Sequence, residues 1–351
     1  MSFVEDALKF HAEHNGMLAV ASKVPLNNRE DLALAYTPGV AEPCKAIKEN
    51  KELSFEYTCR GNTVAIVSDG TRVLGLGDIG PEAAMPVMEG KAVLFKTFGD
   101  VDAIPICIDT KDPEEIIEMV RRLQPTFAGI NLEDFSSPKC YEIEDRLREI
   151  CDIPVFHDDQ HGTAIACLSA VIGALRYVKK DIKDVKVVVN GCGAAGSAIG
   201  RLFVSMGFPN VIMVERVGAL YKGIDAKLDK IQRYLSEVTN PNMEKGTLAE
   251  VAKGADILVG VSGPNLFTKE IIAGMADKAI VFGLANPVPE TSYEAAIAAG
   301  AAVAGTGQPD AGDLPGRGEG RRRSRRGHGP QRLSEPDQQR PCLPGRVPRR
   351  H

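Results

Sequence analysis

The chain lacks the segments that would assign it to a membrane or to an oxidising compartment. No run of about 18 apolar residues occurs, so no membrane-spanning helix is predicted. The start, MSFVEDALKFHAEH, has neither the basic region nor the apolar centre of a signal peptide. Eight cysteines occur without a C-x-x-C pair, which favours buried free thiols such as Cys107 and Cys167 over a zinc or disulfide framework. We therefore expect a cytoplasmic location and no membrane partner.

What remains has the composition of an ordinary globular protein. The 351 residues suffice for two domains, with 44% hydrophobic and 25% charged residues and no evident internal repeat. The charge is unevenly distributed, since eleven Arg face four acidic residues from Asp313 onwards while the whole chain carries −5. The body is therefore acidic, which argues against nucleic acid as its partner.

Short β-branched runs alternate with helical segments along most of the chain. Strands are predicted within residues 62–68, 103–108, 126–132, 153–156, 185–189, 211–214, 255–261 and 279–285. Such alternation predicts the α/β class, with a doubly wound Rossmann-type sheet from about residue 160 to 305. We predict one domain at 1–158, a second at 159–310, and a tail at 311–351.

A glycine-rich turn follows the strand predicted at 185–189. Gly191, Gly193 and Gly196 form a G-x-G-x-x-G pattern, with Ala194 and Ala195 between the last two glycines. Gly191 allows the tight turn, Gly193 lets a pyrophosphate approach the backbone, and Gly196 lets the helix pack on the strand. A tight βα turn in any α/β protein is the alternative. The strand and helix around the pattern favour dinucleotide binding.

The residue that ends the next strand bears on the choice of dinucleotide. Glu215 follows Val211–Val214, where a carboxylate can accept a hydrogen bond from a ribose 2′-hydroxyl. This favours NAD. Arg216 comes next and suits a 2′-phosphate, so NADP stays open as an alternative.

Two acidic pairs also follow predicted strands. Glu133 and Asp134 come after residues 126–132, and Asp158 and Asp159 come shortly after residues 153–156. Each acid alone is readily explained as a helix cap or a surface charge. Four carboxylates at strand ends favour a hard cation, Mg²⁺ or Mn²⁺, over zinc. Since no H-E-x-x-H motif is present, we predict supporting or structural rather than ligand roles for His157 and His161.

A lysine lies within the apolar stretch MPVMEGKAVLF. Lys91 is most simply a solvated side chain at the edge of an element. A lysine among apolar residues can instead have a lowered pKa, which suits a general base. A second glycine-rich passage, LGLGDIGP at 74–81, is equally consistent with a plain loop and with close approach of a ligand.

Together these motifs resemble the malic enzymes of the small bacterial and archaeal type. YTPGVAEPC, SDG, LGLGDIGP, MEGKAVLFK, GINLED, PVFHDDQHGTA, NGCGAAG and LANPVPE occur in the family's order and spacing, from about residue 17 to 305. The resemblance implies a malic-enzyme-type α/β domain followed by the dinucleotide-binding domain. It also implies metal-dependent oxidative decarboxylation of L-malate to pyruvate and CO₂, in a homodimer or larger homo-oligomer.

The resemblance also implies roles for individual residues. Tyr36 looks like the acid that protonates the enolpyruvate, and Lys91 looks like the base that accepts the malate hydroxyl proton. Asp158 would lie beside Lys91 and tune it. Asn286 would contact the nicotinamide ribose or the substrate, and Arg72 would contact a malate carboxylate. The implied metal ligands are Glu133, Asp134 and Asp159.

The family pattern stops after Gln308. Relatives continue with a segment of the type NNVLAFPGVFRGA, which carries asparagines that contact malate, whereas this chain reads QQRPCLPGRVPRR. Arg, Gly and Pro dominate its tail without apolar periodicity, so we expect disorder. If the family segment is written in GC-rich codons and read one register out, it can become the segment of this chain, and we hypothesise a frameshift. Coding DNA with no such segment in another frame would refute it.

Three alternative functions stay open at the level of sequence. A truncated homologue could bind NAD and metal without turnover. A metal-free 2-hydroxy-acid dehydrogenase would keep its activity in EDTA, although the clustered carboxylates argue against it. A nucleic-acid-binding protein would depend on the basic tail and would lose salt-sensitive binding on truncation near residue 312.

Overall fold

A computed structural model describes residues 3–286 and 288–307, so the predicted tail from residue 311 lies outside the described residues. Within this part, ten strands form two sheets. The strands are β1 (Thr63–Ser68), β2 (Asp102–Cys107), β3 (Gly129–Leu132), β4 (Val155–His157), β5 (Lys186–Asn190), β6 (Asn210–Glu215), β7 (Gly218–Ala219), β8 (Ile257–Gly260), β9 (Ile280–Gly283) and β10 (Val303–Thr306). The helices are α1 (Phe3–His14), α2 (Arg29–Ala35), α3 (Ala41–Glu49), α4 (Ser54–Tyr57), α5 (Pro81–Gly99), α6 (Pro113–Leu123), α7 (Lys139–Ile150), α8 (Asp158–Val178), α9 (Ala194–Ser205), α10 (Lys230–Val238), α11 (Leu248–Val251), α12 (Lys269–Ala273) and α13 (Tyr293–Ala298).

The first sheet has four parallel strands in the order β2-β1-β3-β4. Alternate residues of β1 face opposite sides, as a period of two requires. Ala65 and Val67 pack in the core cluster that includes residues of α6 and α7, whereas Ile66 packs with Met88 and Ala92 of α5. Because the strands are parallel, the residues that follow β1, β3 and β4 all lie at one edge of this sheet.

The second sheet has the order β10-β9-β8-β5-β6-β7, with only β7 antiparallel among the strands described. Val187 and Val189 face a core cluster shared with α8 and α9, and Val188 faces the cluster on the other side. Helices thus cover both faces. The strand order reverses at β5, which has β6 on one side and β8 on the other. The α/β class and the doubly wound sheet are confirmed, and the exact domain boundaries stay a prediction.

Helix α8 joins the two sheets. It begins directly after β4 of the first sheet, and its Val171 and Leu175 are buried in the core of the second. Its other face is exposed at Ile165 and Tyr177, so α8 is buried on one face only. By length and composition alone, α8 could cross a membrane. Core helices pass the same test, and the packing of α8 identifies it as one of them.

The N-terminal arm, which we define as residues 3–50, packs differently from the rest. No residue between 4 and 62 is buried. The arm is held at Lys23, whose Nζ lies 3.4 Å from Asp102 Oδ2 at the start of β2, and at Met17, whose amide donates to Glu89 Oε2 of α5 at 3.1 Å. Just after the arm, Arg60 Nε donates to the Phe127 carbonyl at 3.3 Å before β3.

Candidate active site

The two acidic pairs are brought together by neighbouring strands. β3 and β4 pair in parallel with Leu132 opposite His157, so the residues that follow them are adjacent. Glu133 and Asp134 extend β3, while Asp158 and Asp159 open the first turn of α8. The Asp134 amide donates to Asp159 Oδ2 at 2.9 Å. Asp134 has a φ of 58°, a left-handed conformation that aspartate tolerates better than most residues.

Three carboxylates form a cluster suited to a divalent cation. Oxygens of Glu133, Asp134 and Asp159 lie within 4.8 Å of one another. Burial raises the pKa of Asp134 to about 8, and the neighbouring carboxylates of Asp159 and Glu133 add to the shift. Burial, followed by the charge of Asp159, likewise raises the pKa of Glu133 to about 7.

A bound cation would stabilise these three buried carboxylates. Asp134 Oδ2 is buried and accepts no hydrogen bond from the described residues, and a buried polar atom without a partner is costly. Oxygen donors of this kind suit Mg²⁺ or Mn²⁺. The residues present therefore fit the metal that the sequence predicts.

Lys91 points from α5 into the same cluster. Its Nζ lies 2.9 Å from Glu133 Oε1 and 2.6 Å from Asp158 Oδ2. Burial alone lowers the pKa of Lys91, but the two carboxylates outweigh that effect and raise the pKa above its usual value. Neither alternative left open by the sequence describes Lys91, since its side chain is 22% exposed and its pKa is raised. The apolar stretch gave no sign of the carboxylates that face Lys91.

The two histidines lie beside the cluster. His157 is fully buried, with Nε2 3.3 Å from Asp159 Oδ2. His161 points elsewhere, with Nε2 2.7 Å from Glu144 Oε1. Among the described residues, neither histidine belongs to the group of ligand atoms that lie within 4.8 Å of one another.

The glycine turn has the geometry of a phosphate cradle. Gly191 adopts a φ of 111°, and a Cβ on Gly196 would come within 1.8 Å of the Gly191 carbonyl oxygen. A Cβ on Gly193, in contrast, would meet nothing within 4 Å. The protein itself therefore requires glycine at the first and third positions, while the second leaves room for a ligand. Helix α9 begins at Ala194 and continues through Ala195, with no side chain capping its first amides.

Further residues predicted to bind the dinucleotide lie at the same edge of the second sheet. Glu215 ends β6 beside β5, and its Oε2 accepts the Arg216 amide at 2.5 Å. Its charge adds to burial in raising the pKa of Cys192, so Glu215 lies close to the glycine turn. Asn286 is exposed three residues after β9.

Arg72 lies beside the carboxylates, whereas Tyr36 makes no hydrogen bond or ion pair with them. The Arg72 amide donates to the Asp134 carbonyl at 2.9 Å, and its side chain is exposed. Tyr36 lies in the N-terminal arm and is 68% exposed. Among the described residues, none hydrogen-bonds its phenol. The structure therefore brings together every predicted residue of the metal and base cluster, but not the predicted acid.

Sequence reasoning missed two buried acids near the cluster. Asp69, directly after β1, is paired with Lys139 and accepts the Thr71 hydroxyl at 2.7 Å. Its place at a strand end was the available signal. Glu144 is buried on α7 between Cys140 and Leu147, and its helical spacing with these core residues was the corresponding signal.

Comparisons with known proteins agree with this geometry. The family model described as malic enzyme, N-terminal domain, matches residues 15–148, and the model described as malic enzyme, NAD binding domain, matches residues 160–312. A bifunctional malic/malolactic enzyme of Bacillus subtilis is 49% identical over 88% of this chain and 76% of its own.

Two further relatives are similar in sequence or in fold. An NAD-dependent malic enzyme of Geobacillus stearothermophilus is 52% identical over 80% of this chain and 59% of its own, so this chain spans only part of its length. The crystal structure of an NAD-dependent malic enzyme from Thermotoga maritima superposes with a TM-score of 0.84 and 47% identity, covering 87% of this chain and 81% of that one.

Proposed function

This chain belongs to the malic enzyme family, and from that premise we propose that it oxidises and decarboxylates L-malate to pyruvate and CO₂ with NAD as its preferred hydride acceptor. The observation that carries the proposal is the contact of Lys91 with Glu133 and Asp158, beside a cluster of metal-ligand type. A base, a cation site and a dinucleotide turn are the groups that this reaction needs.

Glu133, Asp134 and Asp159 would hold the cation, Mg²⁺ or Mn²⁺. When bound, it would supply a Lewis acid that draws charge from the ketone oxygen while CO₂ departs. Arg72, beside Asp134, is suited to a substrate carboxylate at the exposed mouth of the cluster. These roles agree with the donor chemistry of the residues.

Lys91 would accept the hydroxyl proton of malate, with Asp158 as its partner. A base must be unprotonated, and two carboxylates hold Lys91 protonated in the arrangement described. A bound cation would draw charge from Glu133 and so lessen its attraction for the ammonium group. Asp158, whose Oδ2 lies 2.6 Å from Lys91 Nζ, would accept the ammonium proton and pass it to solvent, which leaves a neutral amine to take the hydroxyl proton.

The dinucleotide would bind across the edge where β5, β6 and β9 end. Gly191, Gly193 and Gly196, with the amides of Ala194 and Ala195, would surround the pyrophosphate. Glu215 would accept the ribose hydroxyl, which favours NAD, while Arg216 keeps NADP as the alternative. For Asn286 we propose contact with the nicotinamide ribose or the substrate.

Tyr36 would act as the final acid from a second copy of the chain. The N-terminal arm exposes large apolar side chains that a water-facing segment has little reason to carry: Val4, Leu8, Leu26, Leu32 and Leu34. The arm contacts its own chain at the start of β2 through Lys23 and on α5 through Met17, and among the described residues no hydrogen bond joins Tyr36 to the carboxylates of that chain. We therefore propose a homodimer in which the arm of one chain covers the other chain and delivers Tyr36 to its site.

We also propose a cytoplasmic location. Seven cysteines within the described residues are free thiols, in agreement with a reducing compartment. Cys167 is buried as expected from the sequence, whereas Cys107 is only half-buried.

The test is pyruvate formation from L-malate by the purified chain, with Mn²⁺ and either NAD or NADP. Lactate is measured in parallel because the Bacillus relative is named for malolactic activity as well. We expect pyruvate that EDTA abolishes and that NAD supports better than NADP. Activity that survives EDTA would indicate a metal-free dehydrogenase. A folded chain that binds NADH and Mn²⁺ without product would refute the proposed reaction.

A further inference from the structure

The buried carboxylate of Glu144 lies at the centre of a hydrogen-bond network next to the cluster. It is only 3% exposed. Oε1 accepts the backbone amide of His157 at 3.2 Å, and Oε2 accepts Gln160 Nε2 at 2.8 Å. His161 Nε2 lies 2.7 Å from Oε1 and 2.9 Å from Oε2. One side chain of α7 therefore binds three residues around the start of α8.

These three partners flank the acids of the site. Asp158 and Asp159 stand between His157 on one side and Gln160 on the other, in the first turn of α8. A shift of that turn would move Asp158 away from Lys91 and Asp159 away from the Asp134 amide. Glu144 thus fixes the position of two site residues without contacting either of them.

The same network extends to the helix of the glycine turn. Gln160 Oε1 accepts Arg201 Nη2 of α9 at 2.9 Å. Arg201 Nε is buried and has no hydrogen-bond partner among the described residues. A second, longer contact joins Tyr141 of α7 to Ser197 of α9 at 3.5 Å, and Ser197 donates to the Cys192 carbonyl within the turn. Side chains therefore connect the dinucleotide turn to the carboxylate cluster.

We propose that Glu144 and Gln160 are positioning residues for the metal cluster, and that the Gln160–Arg201 contact couples dinucleotide binding to metal binding. The inference rests on the proposed function for the identity of the two ligands. A dinucleotide that orders α9 steadies Arg201, and through Gln160 it steadies the turn that carries Asp159. The coupling is reciprocal by thermodynamic necessity: NADH tightens Mn²⁺ binding by the factor by which Mn²⁺ tightens NADH binding.

The first experiment tests positioning. Glu144→Gln keeps the size of the side chain but removes its charge and one acceptor. We expect the dissociation constant for Mn²⁺, measured from the electron paramagnetic resonance of free Mn²⁺, to rise about tenfold or more. NADH binding in the absence of metal should change less than about twofold. Glu142→Gln on the exposed face of the same helix is the matched control and should bind Mn²⁺ like the unaltered chain.

The second experiment tests coupling. In the unaltered chain we expect saturating NADH to tighten Mn²⁺ binding about fivefold or more. Arg201→Met should bring that ratio to about one and Arg201→Lys should restore part of it, while Arg176→Met, at an exposed arginine of α8, leaves it intact. A merely structural role would weaken both affinities and preserve the ratio.

Either of two results would overturn the inference. The first is Mn²⁺ affinity in Glu144→Gln equal to that of the control. The second is a coupling ratio that Arg201→Met leaves unchanged. Both readouts measure binding rather than turnover, so they decide the inference even for a chain that makes no pyruvate. Failure of the proposed reaction and failure of the network are thereby separated.

Discussion

The N-terminal arm and the two sheets obey different rules of burial. In the sheets, β-branched residues such as Ile66 and Val188 are fully enclosed by helices of the same chain. In the arm, Leu8 and Leu34 are each 71% exposed. The apolar content of the sheets is explained within one chain, whereas that of the arm makes physical sense only against another surface. The proposed site divides along the same line, with base and metal ligands in the enclosed region and the acid in the arm.

The largest effect is expected when the acid and the base are removed from different chains, which are then combined in one dimer. Tyr36→Phe and Lys91→Ala should each lower kcat about a hundredfold or more, because each removes a proton-transfer group. After co-refolding of the two variants, half of the dimers are mixed. Each mixed dimer has one site with both native residues if Tyr36 acts across the dimer. Activity should therefore recover to about a quarter of that of the unaltered chain.

An acid that acts within its own chain gives the opposite outcome. Every site of a mixed dimer then lacks either Tyr36 or Lys91, and activity stays at the level of the single variants. Affinity capture with two different tags checks that mixed dimers formed. The double variant, Tyr36→Phe with Lys91→Ala, supplies the baseline.

The second prediction concerns the apolar side chains that the arm exposes. Leu34→Asp should raise the dissociation constant of the dimer about tenfold or more, since a charge is placed in an apolar contact. Analytical ultracentrifugation over a concentration series measures the change. Ile165→Asp, at an isoleucine of α8 that is 57% exposed, should leave association unchanged. Equal dimerisation by both variants would remove the arm from the interface.

A third prediction compares two glycines within the enclosed region. Gly193→Ala should leave the melting temperature within about 1 °C, because its Cβ would touch no atom of the protein. It should weaken NADH binding about tenfold, because the Cβ would occupy the space of the bound dinucleotide. Gly196→Ala should instead destabilise the chain by about 1–3 kcal/mol, because its Cβ collides with the Gly191 carbonyl. NADH titration and thermal unfolding measure the two effects. Equal loss of stability in both variants would contradict the assignment.

The smallest expected effect concerns pH. The folded-state pKa values of Glu133 and Asp134, about 7 and about 8, lie above those of unfolded acids. These groups therefore favour folding at low pH, and that contribution is lost as pH rises through their folded pKa values. In EDTA, the melting temperature should fall by a few degrees between pH 6 and pH 8.5, because a small loss in the free energy of unfolding lowers the melting temperature by that amount.

Mn²⁺ should reverse this loss, because it binds the ionised carboxylates. Asp134→Asn should lessen the decline in EDTA, since asparagine does not ionise. Asp225→Asn, at an exposed aspartate, serves as control. A melting temperature that does not depend on pH in EDTA would mean that the pKa values of Glu133 and Asp134 are not raised in the folded chain.

The sequence predicts all four strands of the first sheet and the four central strands of the second, but not the two edge strands of the second. Runs rich in β-branched residues, such as 62–68 and 185–189, predict buried strands, and β1 and β5 are found there. β7 has two residues, and β10 is a half-buried edge strand in a run of alanine and glycine, so neither carries a β-branched pattern.

The site was predictable as far as strand geometry determines it. Glu133 and Asp159 follow neighbouring parallel strands, so their proximity follows from the rule that such strands end at one edge. The pKa direction of Lys91 was not predictable, because it depends on carboxylates that approach from other elements. The exposure of Tyr36 was not predictable either, since nothing in the local sequence shows that residues 4–62 leave their apolar side chains unburied.

Helix α8 has a practical consequence for anyone who dissects this protein. Its first turn supplies acids to the cluster of the first sheet, while its body fills the core of the second. A cut at the predicted boundary after residue 158 would part Asp158 from Asp159 and leave an amino-terminal fragment without a complete cation site. A fragment that extends through Val178 would keep all three carboxylates, but it would carry the apolar face of α8 into water. The two halves are therefore a poor choice for modular exchange between relatives, and chimaeras should transfer α8 together with both of its neighbours.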